Sequence, residues 1–118
     1  MPFQITNRTK NIALAKNAKL ADNPLKRIKG LLGKSNMAQD EALIIRPCNA
    51  VHTFFMRFSI DVVFVNSANK IVKIIHDMAP FRISSIYWQA CFVIEFPAGA
   101  VSKTPSQAGD IISIEPSA

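Results

Sequence analysis

Residues 47–66 read PCNAVHTFFMRFSIDVVFVN, an apolar, strand-like run that contains one histidine, one arginine and one aspartate. Its β-branched and aromatic content predicts strands over 51–56 and 60–66, joined by a short connection. Strand alternation puts His52, Phe54 and Met56 on one face and Val51, Thr53 and Phe55 on the other. Both faces are largely apolar, so the first strand is expected inside a barrel or sandwich, with His52 at a core boundary. Ionisable groups in a buried sheet need partners or altered protonation. His52, Arg57 and Asp61 therefore mark either a paired structural cluster or a binding site.

The same strand signal recurs at 42–46, 70–75, 91–96 and 111–115, the last entered through a Gly109-Asp110 turn. Residues 9–20 read as extended structure punctuated by Asn11 and Asn17, a hairpin or a pair of short strands. Asn66-Ser67-Ala68-Asn69 is a hairpin loop, because asparagine tolerates the left-handed backbone of tight turns. Residues 77–89 are irregular: Pro80 interrupts them, and Tyr87-Trp88 suits a covering loop. Asn23-Pro24 supplies a cap and a first-turn proline, after which Leu25, Ile28, Leu31 and Leu32 recur at helical spacing until Gly33. The opposite side of that helix carries Lys26, Arg27 and Lys29. Residues 100–103 form one further helical turn. The expected fold is a mainly β, compact barrel- or sandwich-like single domain over 1–118, with one short amphipathic helix (24–33) packed on it and residues 1–9 flexible.

Composition agrees with a globular domain: of 118 residues, 49% are hydrophobic and 19% charged, enough for one core without disulfide or metal support. No apolar run approaches the roughly 20 residues of a membrane span. The N-terminus, MPFQITNRTK, lacks the apolar core of a signal peptide, which predicts a cytoplasmic protein. Cys48 and Cys91 form no C-x-x-C motif or His/Cys cluster, so free, buried thiols are expected and neither a metal nor a cofactor is implied. Residues 1–34 hold eight lysines and arginines against one aspartate, whereas the rest carries six cations and seven acids. That basic end is either a solvated face or a surface for nucleic acid or a protein partner.

Arg57 and Asp61 flank a connection short enough to let them pair, with Asp61 also accepting backbone N–H bonds of the turn. Alternatively, Arg57 offers its guanidinium fork to an anionic ligand while Asp61 orients it or His52. Glu95, within CFVIEFP, is an acid in a buried strand, or one that faces water near the strand end or pairs with a lysine. A Cys48–His52 dyad would give an activated thiolate. No G-x-S-x-G, P-loop, G-x-G-x-x-G or H-E-x-x-H motif is present, and no residue is assigned a catalytic role. The leading expectation is a domain that binds a small or anionic ligand through His52, Arg57, Asp61 and Glu95, supported by Arg27, Cys48, Thr53 and Met56. The rival is a non-enzymatic interaction module that uses the basic helix face; nucleic acid is the less favoured partner, since Phe54, Phe55, Phe58 and Phe64 read as core and not as a stacking platform.

Arg27-x-x-Gly30-Leu31-Leu32, His52-Thr53-x-x-Met56-Arg57, Ile60-Asp61-Val62-Val63-Phe64, Glu95-Phe96-Pro97-Ala98-Gly99 and Gly109-Asp110, in this order and spacing, resemble an uncharacterised bacterial and archaeal family, domain of unknown function 192. The resemblance spans about 11–115 and implies a compact, mostly β domain with a helix packed on it. It implies no activity, and many members of that family are exported. This chain departs from the pattern at Glu41-Ala42, where a Gly-Met pair is common, and at 66–69, where the usual loop contains glycine.

Overall fold

The structure, a computed structural model, describes residues 2–23, 26 and 35–117. Among the described residues, seven strands follow one another: β1 (Phe3–Asn7), β2 (Ile12–Ala21), β3 (Glu41–Ile45), β4 (Ile60–Val65), β5 (Ile71–Met78), β6 (Phe92–Pro97) and β7 (Ile112–Pro116). One short helix, α1 (Ala100–Lys103), lies between the last two. They form one sheet in the order β5-β4-β6-β3-β2-β1-β7, with every neighbouring pair antiparallel except β2 and β3. The domain is mainly β, and its sheet curls into a half-barrel.

The two edges of the curl meet. Lys70, just before β5, bridges Ile111, just before β7. The Ile71 N–H donates to Asp110 O at 2.9 Å, the Gly109 N–H to Ile71 O at 2.8 Å and the Ile112 N–H to Asn69 O at 2.9 Å. Edge strands otherwise leave a row of unpaired backbone groups, so this seam protects both at one end. The inside of the curl is packed with Ile5, Ile44, Val63, Val65, Ile94 and Phe96, among others. The outside of the central strands is also covered: Ile60, Val62, Phe64 and Val93 pack against Val51, Met56 and Ala90 from two long loops. Burial on both faces explains why β4, IDVVFV, and β6, FVIEFP, are nearly continuous apolar runs instead of alternating ones.

Asp61 fixes the end of β4. Its Oδ1 accepts the Asp77 N–H at 2.8 Å, and its Oδ2 accepts the N–H groups of Gly99 and Val101 at 3.1 Å each. One buried carboxylate thus ties β4 to the end of β5 and to the turn into α1. Gly99 sits in that turn at φ 88°, a conformation that glycine adopts without the Cβ clash other residues meet.

Two expectations change. Residues 51–56 are not a strand; they form a loop with a single bridge, His52 to Ile83, and a Phe54-Phe55 turn. Their apolar composition reflects a cover packed on the sheet, where Val51, Thr53 and Met56 are buried and His52, Phe54 and Phe55 are exposed. Residues 3–7, within the segment expected to be flexible, form an interior strand between β2 and β7, with Ile5 and Asn7 fully buried. The hydrogen bond expected of Asn23 as a cap is present, from the Lys26 N–H at 2.9 Å. The remainder of the expected helix, with Arg27 and Lys29, lies outside the described residues.

A polar cluster backs the seam. Asp110 Oδ2 accepts hydrogen bonds from Asn7 Nδ2 at 2.9 Å, Lys10 Nζ at 2.9 Å and the Gln107 N–H at 3.1 Å. Burial acts to raise the carboxyl, but the hydrogen bonds from Asn7, Lys10 and Gln107 outweigh it and hold the pKa below its ordinary 3.8. The Asp110→Ala variant is expected to lose about 2 kcal/mol in urea unfolding at pH 7, from the lost bonds of Lys10, Gln107 and one Asn7 amide hydrogen. Because a depressed acid contributes stability above its unfolded pKa and loses it as pH falls through the folded one, the deficit should shrink below pH 3.8.

Candidate functional site

The order of the strands forces two long excursions. β3 and β4 both pair with β6 and run parallel, so 46–59 must cross over β6; β5 and β6 are likewise parallel across β4, so 79–91 must cross back. Both crossings lie on the outer face of the sheet and run side by side. Thr53, fully buried, stitches them together. Its N–H donates to Arg82 O at 2.9 Å, and its carbonyl accepts the Phe81 N–H at 2.9 Å. Its hydroxyl donates to Ala79 O at 2.7 Å and accepts the Arg82 N–H at 2.9 Å. Further along, the Ser84 N–H donates to Val51 O and the Tyr87 N–H to Asn49 O, both at 2.9 Å.

Inward, this cover contributes Val51, Met56 and Tyr87, whose ring meets Phe64 at 4.4 Å. Outward, it presents Phe54, Phe55, Phe81, Ile83, Ile86 and Trp88, all exposed. Trp88 is 80% accessible, Phe55 76% and Ile83 72%. Phe55 and Phe81 have left-handed backbones, φ 65° and 61°, and their rings meet edge to face at 5.8 Å. That conformation costs a bulky side chain roughly 1–2 kcal/mol relative to the right-handed one. Large apolar side chains on strained turns, on both sides of a single layer, are the most unusual feature of the surface.

The expected polar site is not assembled. His52 is exposed on the cover; its ring lies 5.4 Å from Phe54 and its Nδ1 accepts the Phe54 N–H at 3.3 Å. Arg57 is exposed too, and among the described residues the only ion pair is Lys10 with Asp110. The expected Arg57–Asp61 pair is therefore absent: backbone amides of other elements fill the carboxylate instead. Asp61 lies opposite Phe96, and Val62 lies opposite Glu95. Since directly opposed residues share a face and successive residues alternate, Asp61 points into the curl and Glu95 toward the cover. The two acids are on opposite sides of the sheet.

Glu95 is 4% accessible, flanked in register by Leu43 and Val62, and among the described residues no cation pairs with it. It does not face water near the strand end as expected, because the apolar cover closes over it, and no described lysine forms an ion pair with it. Burial pushes its carboxyl up to about 7. Cys48 is half-buried and donates its thiol to Ala50 O at 3.1 Å, while Cys91 is exposed. Neither thiol is in a disulfide, as expected, but neither is fully buried. Cys91 borders a cavity of about 180 Å³ with Arg46, whose guanidinium lies 4.5 Å from the Phe92 ring centre. Among the described residues no three of His, Cys, Asp and Glu gather as metal ligands would, and no helix is long and apolar enough to cross a membrane.

This curled sheet with its doubly crossed cover is shared by proteins whose activity is not established. The model of the DUF192 family, described as "Uncharacterized ACR", matches residues 4–114, and the chain belongs to that family. A UPF0127 protein of Thermococcus kodakarensis is 31% identical over 116 residues, covering 95% of this chain and 73% of its own. One from Pyrococcus horikoshii is 31% identical over 113 residues, covering 92% and 96%. A crystal structure of a protein of unknown function from Novosphingobium aromaticivorans superposes with a TM-score of 0.82 at 17% identity, covering 96% of this chain and 84% of that one. It shares the fold.

The raised pKa of Glu95 sets a measurable pH dependence. Its folded-state value, about 7, exceeds its ordinary 4.5, so the unfolded chain releases this proton first and stability declines between those pH values. Glu95→Gln should therefore be more stable than the parent at pH 8, by up to about 3 kcal/mol, with the gap closing toward pH 4.5. Unfolding curves across that range measure it.

Proposed function

We propose that this protein is a non-enzymatic interaction module that docks through the outer face of the cover. The observation behind this reading is that Phe55, Ile83 and Trp88 stand almost fully in solvent on a layer already anchored from beneath. Exposed aromatics on a preorganised support lose little side-chain entropy on association, and contact residues of this kind dominate interfaces energetically. The polar residues nearby modulate the surface and do not form a pocket: His52 is stacked on Phe54, and Arg57 is exposed with no ion pair among the described residues. The ligand-binding alternative would need His52, Arg57, Asp61 and Glu95 around one cavity, and the opposite facing of Asp61 and Glu95 speaks against it.

The reading is checked in cells that naturally make the protein, with a photo-crosslinking amino acid placed at Ile83 or, as a control, at the exposed Lys16 of β2. Adducts are expected from position 83 and not from position 16, and they should vanish when Phe55 and Trp88 are changed to serine. An adduct pattern equal at both positions, or no adduct at 83, would contradict docking through this face.

A further inference from the structure

We propose that the partner of this face is the headgroup region of an anionic phospholipid bilayer, an inference that rests on the docking reading above. The first argument is charge. Residues 47–59 and 79–91, the two crossings of the cover, contain no aspartate or glutamate; their only full charges are Arg57 and Arg82, both exposed. The chain as a whole carries +6. A surface of apolar side chains set beside cations, with no acid, complements a plane that is negative outside and apolar within, where each nearby Lys or Arg contributes on the order of 1 kcal/mol.

The second argument is shape. The exposed aromatics sit at turns, Phe55 in the Phe54-Phe55 turn and Trp88 in the Trp88-Gln89 turn, so they protrude as tips instead of lining a groove. Protruding tryptophan and phenylalanine suit the bilayer interface, where an apolar ring enters the acyl boundary while the indole N–H stays at headgroup level. A protein strand or peptide would instead look for a free backbone edge. Here much of the facing backbone is already engaged: the amides of Thr53, Phe81, Arg82 and Ser84 are bonded between the two crossings.

The chain's one tryptophan is Trp88, which makes the test direct. Purified protein is mixed with large vesicles of pure phosphatidylglycerol or pure phosphatidylcholine, and Trp88 emission and co-sedimentation are followed. With phosphatidylglycerol at low ionic strength, a blue shift and co-sedimentation are expected; both should weaken at least tenfold with phosphatidylcholine or in 0.5 M salt. The Phe55→Ser/Ile83→Ser double variant, altered only at exposed positions and checked for an unchanged melting temperature, should bind phosphatidylglycerol at least tenfold more weakly. So should Arg57→Glu/Arg82→Glu. Unshifted Trp88 emission with phosphatidylglycerol at low salt, or undiminished binding by both variants, would overturn the proposal. If vesicles fail while the position-83 crosslinker still captures a protein in a Trp88-dependent way, the lipid partner is wrong and the docking face stands. If both fail, both readings fall.

Discussion

The geometry of the surface depends on one buried side chain, Thr53. Two crossings of thirteen or so residues each have no regular structure of their own, and a loop that long stays ordered only when something fixes it from beneath. Thr53 does so with both its backbone and its hydroxyl, bonding Ala79, Phe81 and Arg82 at once. A valine of the same shape would keep the packing and strand the Arg82 amide and the Ala79 carbonyl. With Thr53 in place, Val51, Met56 and Tyr87 are pressed onto the sheet. The alternate positions are turned outward, and this is how the layer comes to display phenylalanines and a tryptophan.

The two acids of the central strands show how one register step separates two kinds of chemistry. Asp61 points into the curl, where its two oxygens accept three backbone N–H groups and hold three elements together. Glu95 points toward the cover, between Leu43 and Val62, where nothing among the described residues offsets its charge and the neutral form is favoured up to about pH 7. The first is architecture. The second makes the contact between sheet and cover sensitive to protonation, at some cost in stability at high pH.

Most of the strand order along the chain was legible, because β3, β4, β5, β6 and β7 are short β-branched runs bounded by turn residues, and the Asn66–Asn69 hairpin follows from asparagine's tolerance of a left-handed backbone. The covering role of Tyr87-Trp88 was legible as well. The error at 51–56 has a physical source: a loop pinned to an apolar sheet needs the same residues as a strand, and alternation alone does not distinguish them until Phe55 turns with positive φ. The candidate site went astray for a related reason. Sequence spacing made Arg57 and Asp61 neighbours, but the amides of Asp77, Gly99 and Val101, distant in the chain, reach the carboxylate instead. The signal that would have led to the exposed face was the absence of any acid from both crossings, together with more aromatic residues than one buried layer accommodates.

The central claim is that the cover is a rigid, preformed face held by Thr53. Amide hydrogen exchange measures it most directly. The account predicts that the Thr53, Phe81 and Arg82 amides exchange at least about a thousandfold more slowly than in an unstructured peptide, as amides do when their opening requires a sizeable cooperative unit to unfold. Exchange of these three amides within about tenfold of the unstructured rate would show a cover that is loose in solution and would contradict it.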